Sequence, residues 1–187
     1  MNITLKVAAE PSAAALLLRP WHDGDIEALI EAYLDPVLRR WTRLPVESVE
    51  DAREWLELQR RGWETGERLG FAVHEDGSGT GEGRLAGNVA MKRTGAGRES
   101  AEVGYWTAAH ARGRGVAPRA LRALTGWAFD TFAGEGLERL DLLHQVDNPA
   151  SCRVAEKTGY VFHRVLPAQP PFPRDGHLHV RRAGARV

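Results

Sequence analysis

The stretch Ala101-Glu-Val-Gly-Tyr-Trp-Thr-Ala-Ala-His-Ala-Arg-Gly-Arg-Gly-Val-Ala-Pro-Arg-Ala-Leu121 decides the fold. Ala101 to Thr107 reads as a strand, Arg112-Gly-Arg-Gly115 as a turn, and a helix begins near Val116. Ala120, Leu121, Leu124, Trp127, Ala128 and Thr131 recur at helical spacing, so the helix extends to Phe132. Backbone N–H groups at a helix start, preceded by glycines, form an anion cradle. Gly113 and Gly115 let the main chain approach a phosphate without a Cβ in the way. Arg112 and Arg114 add charge-assisted hydrogen bonds. Two other phosphate loops fail here. No Lys-Ser/Thr pair follows the turn, and Pro118 stands where a G-x-G-x-x-G dinucleotide loop needs its last glycine.

Reading outward, Leu69 to His74, Leu85 to Lys92 and Ala101 to Thr107 are strands joined by glycine-rich turns at Asp76–Gly83 and Thr94–Gly97, an antiparallel meander. Upstream, Ala14 to Arg19 is a first strand stopped by Pro20. Asp23 opens a helix with Ile26, Leu29, Ile30 and Tyr33 on one face, closed by Asp35-Pro36. Ser48-Val-Glu-Asp51 is a capping-box-like start to a second helix. Ala52, Trp55, Leu56, Gln59 and Trp63 share its face and Thr65-Gly66 ends it; Trp41 falls in the loop between these helices. Met1 to Ser12 reads as a loose leader.

Downstream, Leu137 to Val146 is a strand. Asn148 is an N-cap with Pro149 at the first helical position, and Gly159 follows the helix end. Tyr160 to Leu166 is a strand, Pro167, Pro170, Pro171 and Pro173 stiffen a loop, and His177 to Arg182 is a last strand. The expected order is β-α-α-β-β-β-α-β-α-β-β, an α/β (α+β) chain with a mixed sheet.

At 187 residues the length suits one domain, 1–187. Hydrophobic residues at 43% and charged residues at 27% exclude a disordered, collagen-like or coiled-coil chain. The longest apolar run, Ala13 to Leu18, is far short of the ~20 residues that cross a bilayer. Twenty-five basic residues balance 25 acidic ones. That gives no uniform basic surface for nucleic acid. Cys152 is the only cysteine, so an intrachain disulfide is excluded. Met1 to Pro11 carries no apolar signal-peptide core, and a cytoplasmic location is expected.

Arg112-x-x-Gly115-x-Ala117 resembles the (Gln/Arg)-x-x-Gly-x-(Gly/Ala) signature of the GNAT superfamily of N-acetyltransferases. Asp147-Asn-Pro-Ala-Ser151, followed by Arg153-Val-Ala-Glu-Lys-Thr-Gly-Tyr160, is a second match. Ala101 to Trp106, Leu18-Arg-Pro20 and Pro45 to Leu56 are similar to the Rim-type subgroup, which acetylates ribosomal-protein N-termini. The Pro167 to Pro173 loop departs from that subgroup's pattern. The resemblance implies a mostly antiparallel mixed sheet with a splayed parallel pair, Ala101–Thr107 and Leu137–Val146, flanked by helices. It implies acetyl-CoA as co-substrate, its pyrophosphate on Arg112, Gly113, Arg114, Gly115, Val116 and Ala117. The pantetheine arm would lie on the backbone of Trp106 and Thr107, with Asn148 and Ser151 at its sulfur end. One backbone N–H there would face the thioester oxygen, a fixed donor that gains strength as charge develops.

Amine attack on a thioester needs a proton acceptor for the amine and a partner for the departing thiolate. Glu102 shares a strand face with Gly104 and Trp106 and is the first candidate base, acting through water. Its plainer reading is a solvated carboxylate or one paired with an arginine. Ser151 is the candidate acid by resemblance, or a serine bonding its own backbone. No tyrosine, the acid in many family members, lies within Asn148 to Thr158.

His144 is an alternative base or acceptor contact. Trp41, flanked by Arg39, Arg40 and Arg43, is a candidate acceptor wall. His177 and His179 share a strand face, but no third ligand pattern lies nearby, so no metal is expected. Cys152 reads as a small packed residue. The expected activity is acetyl transfer from acetyl-CoA to a primary amine, either a protein N-terminus or a small molecule, by direct attack in a ternary complex. A bulkier acyl donor such as succinyl-CoA and a non-catalytic acyl-CoA-binding domain are the alternatives. No nucleic-acid or membrane partner is expected, and the chain is read as a monomer or homodimer.

Overall fold

The computed structural model describes residues 3–42, 44–76, 83–93, 98–170 and 173–184. The strands are β1 (Leu5–Val7), β2 (Ala15–Pro20), β3 (Arg68–Asp76), β4 (Arg84–Lys92), β5 (Ser100–Thr107), β6 (Arg139–Gln145), β7 (Val161–Leu166) and β8 (Gly176–Arg182). The helices are α1 (Ile26–Tyr33), α2 (Pro36–Trp41), α3 (Val49–Thr65), α4 (Val116–Phe132) and α5 (Pro149–Lys157). The strands form one sheet in the order β1-β2-β3-β4-β5-β6-β8-β7. β5 and β6 are parallel, and the other neighbouring strands pair antiparallel.

The parallel pair positions the site. Ser100–Val103 lie opposite Arg139–Leu142, and the pairing stops there. Both strands run on, β5 still bonded to β4 through Thr107 and β6 still bonded to β8 through Gln145. Beyond Val103 the two strands therefore turn unpaired edges toward each other. Those edges frame a V whose backbone groups need partners.

Each face of the sheet has its own core. On one, Val116, Leu121 and Leu124 of α4 pack on Phe71, Val89, Met91, Val103 and Leu140. On the other, Leu29, Tyr33, Trp55 and Leu56 of α1 and α3 pack with Trp21 and Ala72. Burial of each such side chain contributes about 1.5–3 kcal/mol. Arg19 grips Asp25 through two hydrogen bonds of 2.7 and 2.8 Å and so fixes the start of α1 beside β2. Ser48 and Asp51 form the expected capping box, and Gly66 ends α3 with φ 73°.

Three expectations need correction. The leader contains β1, which pairs with Leu16–Leu18. Arg119 of α4 secures that corner by donating to the carbonyls of Ala14 at 2.7 Å and Ala8 at 2.6 Å. Asp35-Pro36 ends α1 but also begins α2: Asp35 accepts from the Val37 and Leu38 N–H groups, and Pro36 needs no N–H at the first helical position. Trp41 therefore ends a helix rather than lying in a loop. Pro20 is the last residue of β2 instead of a stop before it. Arg43, Pro171, the turn at 94–97 and all but the ends of the turn at 76–83 lie outside the described residues. None of the helices is long and apolar enough to cross a membrane among the described residues.

Candidate active site

The turn before α4 has the geometry of an anion cradle. Gly113 and Gly115 sit at φ 75° and 78°, where an L side chain costs about 1–2 kcal/mol. No side chain caps α4. A Cβ on Gly113 would meet nothing within 4 Å, and one on Gly115 only Arg119 Cδ at 3.9 Å. The chain itself leaves that space open, which fits a ligand lying against the backbone. The Val116 side chain is buried in the core, so only its N–H can face the cradle; Ala117 beside it is half-buried.

Both cradle arginines are paired with carboxylates. Arg112 bonds Asp35, and Arg114 Nη1 lies 3.2 Å from Glu75 Oε2. Burial opposes ionisation of Asp35, but the Arg112 guanidinium and the Val37 and Leu38 N–H groups outweigh it and lower its pKa. A diphosphate would compete with these carboxylates for the guanidinium groups.

Glu102, Gly104 and Trp106 share one face of β5. Glu102 Oε1 accepts from Lys92 Nζ at 2.7 Å, with its side chain 43% exposed. The pairing partner is thus a lysine one strand away, not an arginine. A Cβ on Gly104 would meet nothing within 4 Å, so a gap separates Glu102 from Trp106. Trp106 is held by Trp21 and Tyr33, with ring centroids 6.0 and 6.1 Å away. Thr107 ends β5 opposite Gly87.

α2 spans this side of the site. Its N-cap Asp35 holds Arg112 of the cradle. Near its other end, Arg40 lies over the Trp41 ring at 4.7 Å and bonds Asp147, just past β6, at 2.8 Å. Arg174 reaches the same carboxylate at 3.2 Å. These contacts bring half-buried Trp41 beside the open end of the V.

The opposite face of β5 carries Tyr105. Its hydroxyl donates to Ser151 Oγ at 3.0 Å. Burial pushes the Tyr105 phenol up to about 12, with the Ser151 bond opposing, so the phenol stays protonated at neutral pH. Asn148 Oδ1 accepts from the Ser151 N–H at 3.2 Å, the expected N-cap. The helix after β6 carries no tyrosine near Ser151; the tyrosine that reaches it comes from β5, 46 residues away in the chain.

His144 lies on the Tyr105 face. Glu102 stands opposite Asp141 and Val103 opposite Leu142, and His144, two residues on from Leu142, shares its face. The two candidate bases thus point to opposite sides of the sheet. His144 Nε2 is 3.2 Å from His179 Nε2 and 3.5 Å from Cys152 Sγ, and its Nδ1 lies 2.8 Å from the Gln145 carbonyl. Cys152 Sγ is also 3.4 Å from His177 Nδ1. Strand spacing alone revealed only His177 and His179; β6 and α5 bring the other two side chains to them.

A splayed parallel pair, a glycine cradle at a helix start and a carboxylate at the foot of the V thus meet along one strand and one turn. Residues 15–161 match the family model described as acetyltransferase (GNAT) domain; the chain belongs to that family and is an acyltransferase. It is similar to the ribosomal-protein-serine acetyltransferase of Escherichia coli, 29% identical over 137 residues that cover 71% of this chain and 68% of that protein. Two solved structures share the fold. RimJ of Mycobacterium smegmatis, in complex with a CoA disulfide, has a TM-score of 0.76 at 23% identity, covering 97% of this chain and 87% of that one. A microcin self-immunity acetyltransferase in complex with acetyl-CoA and AMP has a TM-score of 0.75 at 18% identity, covering 94% and 98%.

Proposed function

We propose that this chain acetylates the α-amine of a protein N-terminus from acetyl-CoA, by direct attack in a ternary complex. The observation that carries the reading is β5 itself. In the last paired stretch beside β6 it turns a carboxylate, Glu102, toward one face, and just past the end of that pairing it turns a tyrosine–serine pair toward the other, beside a glycine cradle. The protein N-terminus is favoured over a small amine by the relative named for acting on ribosomal-protein serine. On this reading the whole chain works as one domain in the cytoplasm, where ribosomal proteins are made.

In the proposed chemistry the diphosphate lies on the backbone of Gly113 to Ala117 and on Arg112 and Arg114. The pantetheine arm bonds the open edge at Trp106 and Thr107, with Asn148 near its far end. Trp41 walls the acceptor, whose amine enters the gap over Gly104. Glu102 accepts the amine's proton through water. The C–N bond forms, the C–S bond breaks, and Ser151 gives its proton to the departing thiolate; solvent then reprotonates Ser151 and takes the proton from Glu102. Tyr105 is a positioning residue: its hydrogen bond fills one lone pair of Ser151 Oγ and leaves the serine's own hydrogen to point elsewhere.

A thiol-release assay crossing acetyl-CoA and succinyl-CoA with serine-initiated peptides, N-blocked peptides and small amines tests this. Release with acetyl-CoA and unblocked peptides alone is expected. Release with small amines but no peptide would overturn the acceptor assignment. No release with any acceptor, alongside tight coenzyme binding, would identify a silent acyl-CoA-binding domain.

A further inference from the structure

We propose that His144, Cys152, His177 and His179 form a tetrahedral site for a zinc ion that ties α5 to the β6–β8 pair. Their ligand atoms all lie within 4.8 Å of one another. Zn–N bonds of about 2.0–2.1 Å and a Zn–S bond of about 2.3 Å make tetrahedron edges of about 3.4 Å between nitrogens and about 3.6 Å from nitrogen to sulfur. The distances found are 3.2 Å for His144 Nε2 to His179 Nε2, and 3.4, 3.5 and 3.9 Å from Cys152 Sγ to His177 Nδ1, His144 Nε2 and His179 Nε2. These four edges are close to the required size, and the remaining two, from His177 Nδ1 to the other imidazoles, lie within 4.8 Å.

The surroundings suit a metal. The Gln145 carbonyl, 2.8 Å from His144 Nδ1, accepts that nitrogen's proton and leaves the Nε2 lone pair facing the cluster. This is the outer-sphere arrangement that orients metal-bound histidines. Burial lowers the pKa of both His144 and His179 and so favours the neutral, ligating imidazole. The Phe162 ring packs edge-on against His177 and His179, at 5.2 and 5.6 Å, as an apolar wall. His179 is buried while the other three ligands are half-buried, so an ion has a way in. A set of three imidazoles and one thiolate is borderline-soft and tetrahedral, which selects zinc over magnesium or calcium.

Binding replaces the Cys152 S–H bond with S–Zn and releases one proton to solvent. Four protein ligands leave no open position, so the ion is structural rather than catalytic. It would hold the start of α5, and with it Ser151, against the end of β6. The site stands on its own geometry and does not depend on the identity of the acceptor amine.

Cobalt(II) titration of untagged, demetallated full-length protein tests the site. One equivalent should bind, with the intense visible bands of tetrahedral cobalt and a thiolate-to-cobalt charge-transfer band, and zinc should displace it. Cys152→Ser should abolish the charge-transfer band and weaken binding by about 100-fold or more, beyond what loss of an outer-sphere partner costs. His177→Ala should weaken binding as much, whereas His163→Ala, on exposed β7, should leave it unchanged. Zinc should raise the unfolding temperature of the wild-type protein and not that of the Cys152→Ser/His177→Ala double variant. The proposal is overturned if wild-type protein shows neither cobalt bands nor a thermal shift with zinc. It is equally overturned if the bands survive in the double variant.

Discussion

The two faces of β5 differ in kind although they are built from alternate residues of one strand. The face of Glu102, Gly104 and Trp106 carries an ion pair, a gap and aromatic walls, and it is half open to solvent. The face of Tyr105 carries hydroxyls and imidazoles held neutral by burial, packed under α5. In the proposed reaction the amine would enter and lose its proton on the first face, and the thioester sulfur would leave on the second. Strand alternation places the two on opposite sides of β5, and its pairing with β6 ends at Val103 between them.

The largest test of this division is Glu102→Gln, which keeps the shape of the side chain but cannot accept the amine's proton. We expect turnover to fall by roughly 10²–10⁴ with coenzyme affinity little changed. His144→Gln, on the other face, is the matched control. Near-normal turnover in Glu102→Gln, with loss in His144→Gln, would transfer the base to the sulfur side and break the division.

The cradle should be indifferent to either face. Gly115→Asp places a carboxylate where a diphosphate would sit and should weaken CoA binding by several kcal/mol, roughly 10²–10³-fold. Gly115→Asn separates charge from backbone strain, because asparagine tolerates the left-handed region. Calorimetry should find the asparagine variant the tighter of the two. Equal, wild-type affinity in both folded variants would remove the cradle from the site.

On the sulfur face the expected effects are smaller. Ser151→Ala and Tyr105→Phe should each lower kcat by about tenfold, the worth of one hydrogen bond realised in the transition state. The double variant should be no slower than Ser151→Ala alone, because Tyr105 acts through Ser151. Multiplicative losses would mean that the two hydroxyls act separately.

What was legible in the sequence was local. Helix periodicity, the Ser48–Asp51 box, the Asn148-Pro149 start and the glycine cradle each lie within a few residues of chain. β1 was missed because Leu5–Val7 is a three-residue strand with no alternation to read. α2 was missed because Asp35-Pro36 punctuates in both directions, and six residues give too little periodicity to choose. The Tyr105–Ser151 bond spans 46 residues of chain. The histidine–cysteine cluster draws on β6, α5 and β8, and it needs the register of His144 opposite His177 before any ligand set exists. The Glu102 partner likewise required the β4–β5 register.

The smallest expected effect concerns acid sensitivity, and it falls on the sulfur face alone. Burial lowers the pKa of His144, with the Gln145 carbonyl opposing and His179 and His177 reinforcing. Burial also lowers His179, opposed by the Tyr160 backbone and Glu156 and reinforced by His177. The Cys152 thiol of α5, also in the cluster, is pushed up by burial and stays neutral. In the unfolded chain both imidazoles titrate near their ordinary 6.5. Below that pH the unfolded state binds more protons than the folded state, so stability falls as pH drops from 6.5 toward the lower folded values. Above 6.5 these two groups contribute no slope. The metal-free protein should therefore lose a few degrees of Tm across that window beyond what its carboxylates explain. His144→Gln/His179→Gln should flatten this loss, while Glu102→Gln, on the other face, should leave it in place. An identical Tm–pH slope in wild type and the double histidine variant would show that these imidazoles gain no protons on unfolding, and that the two faces do not differ in the way argued.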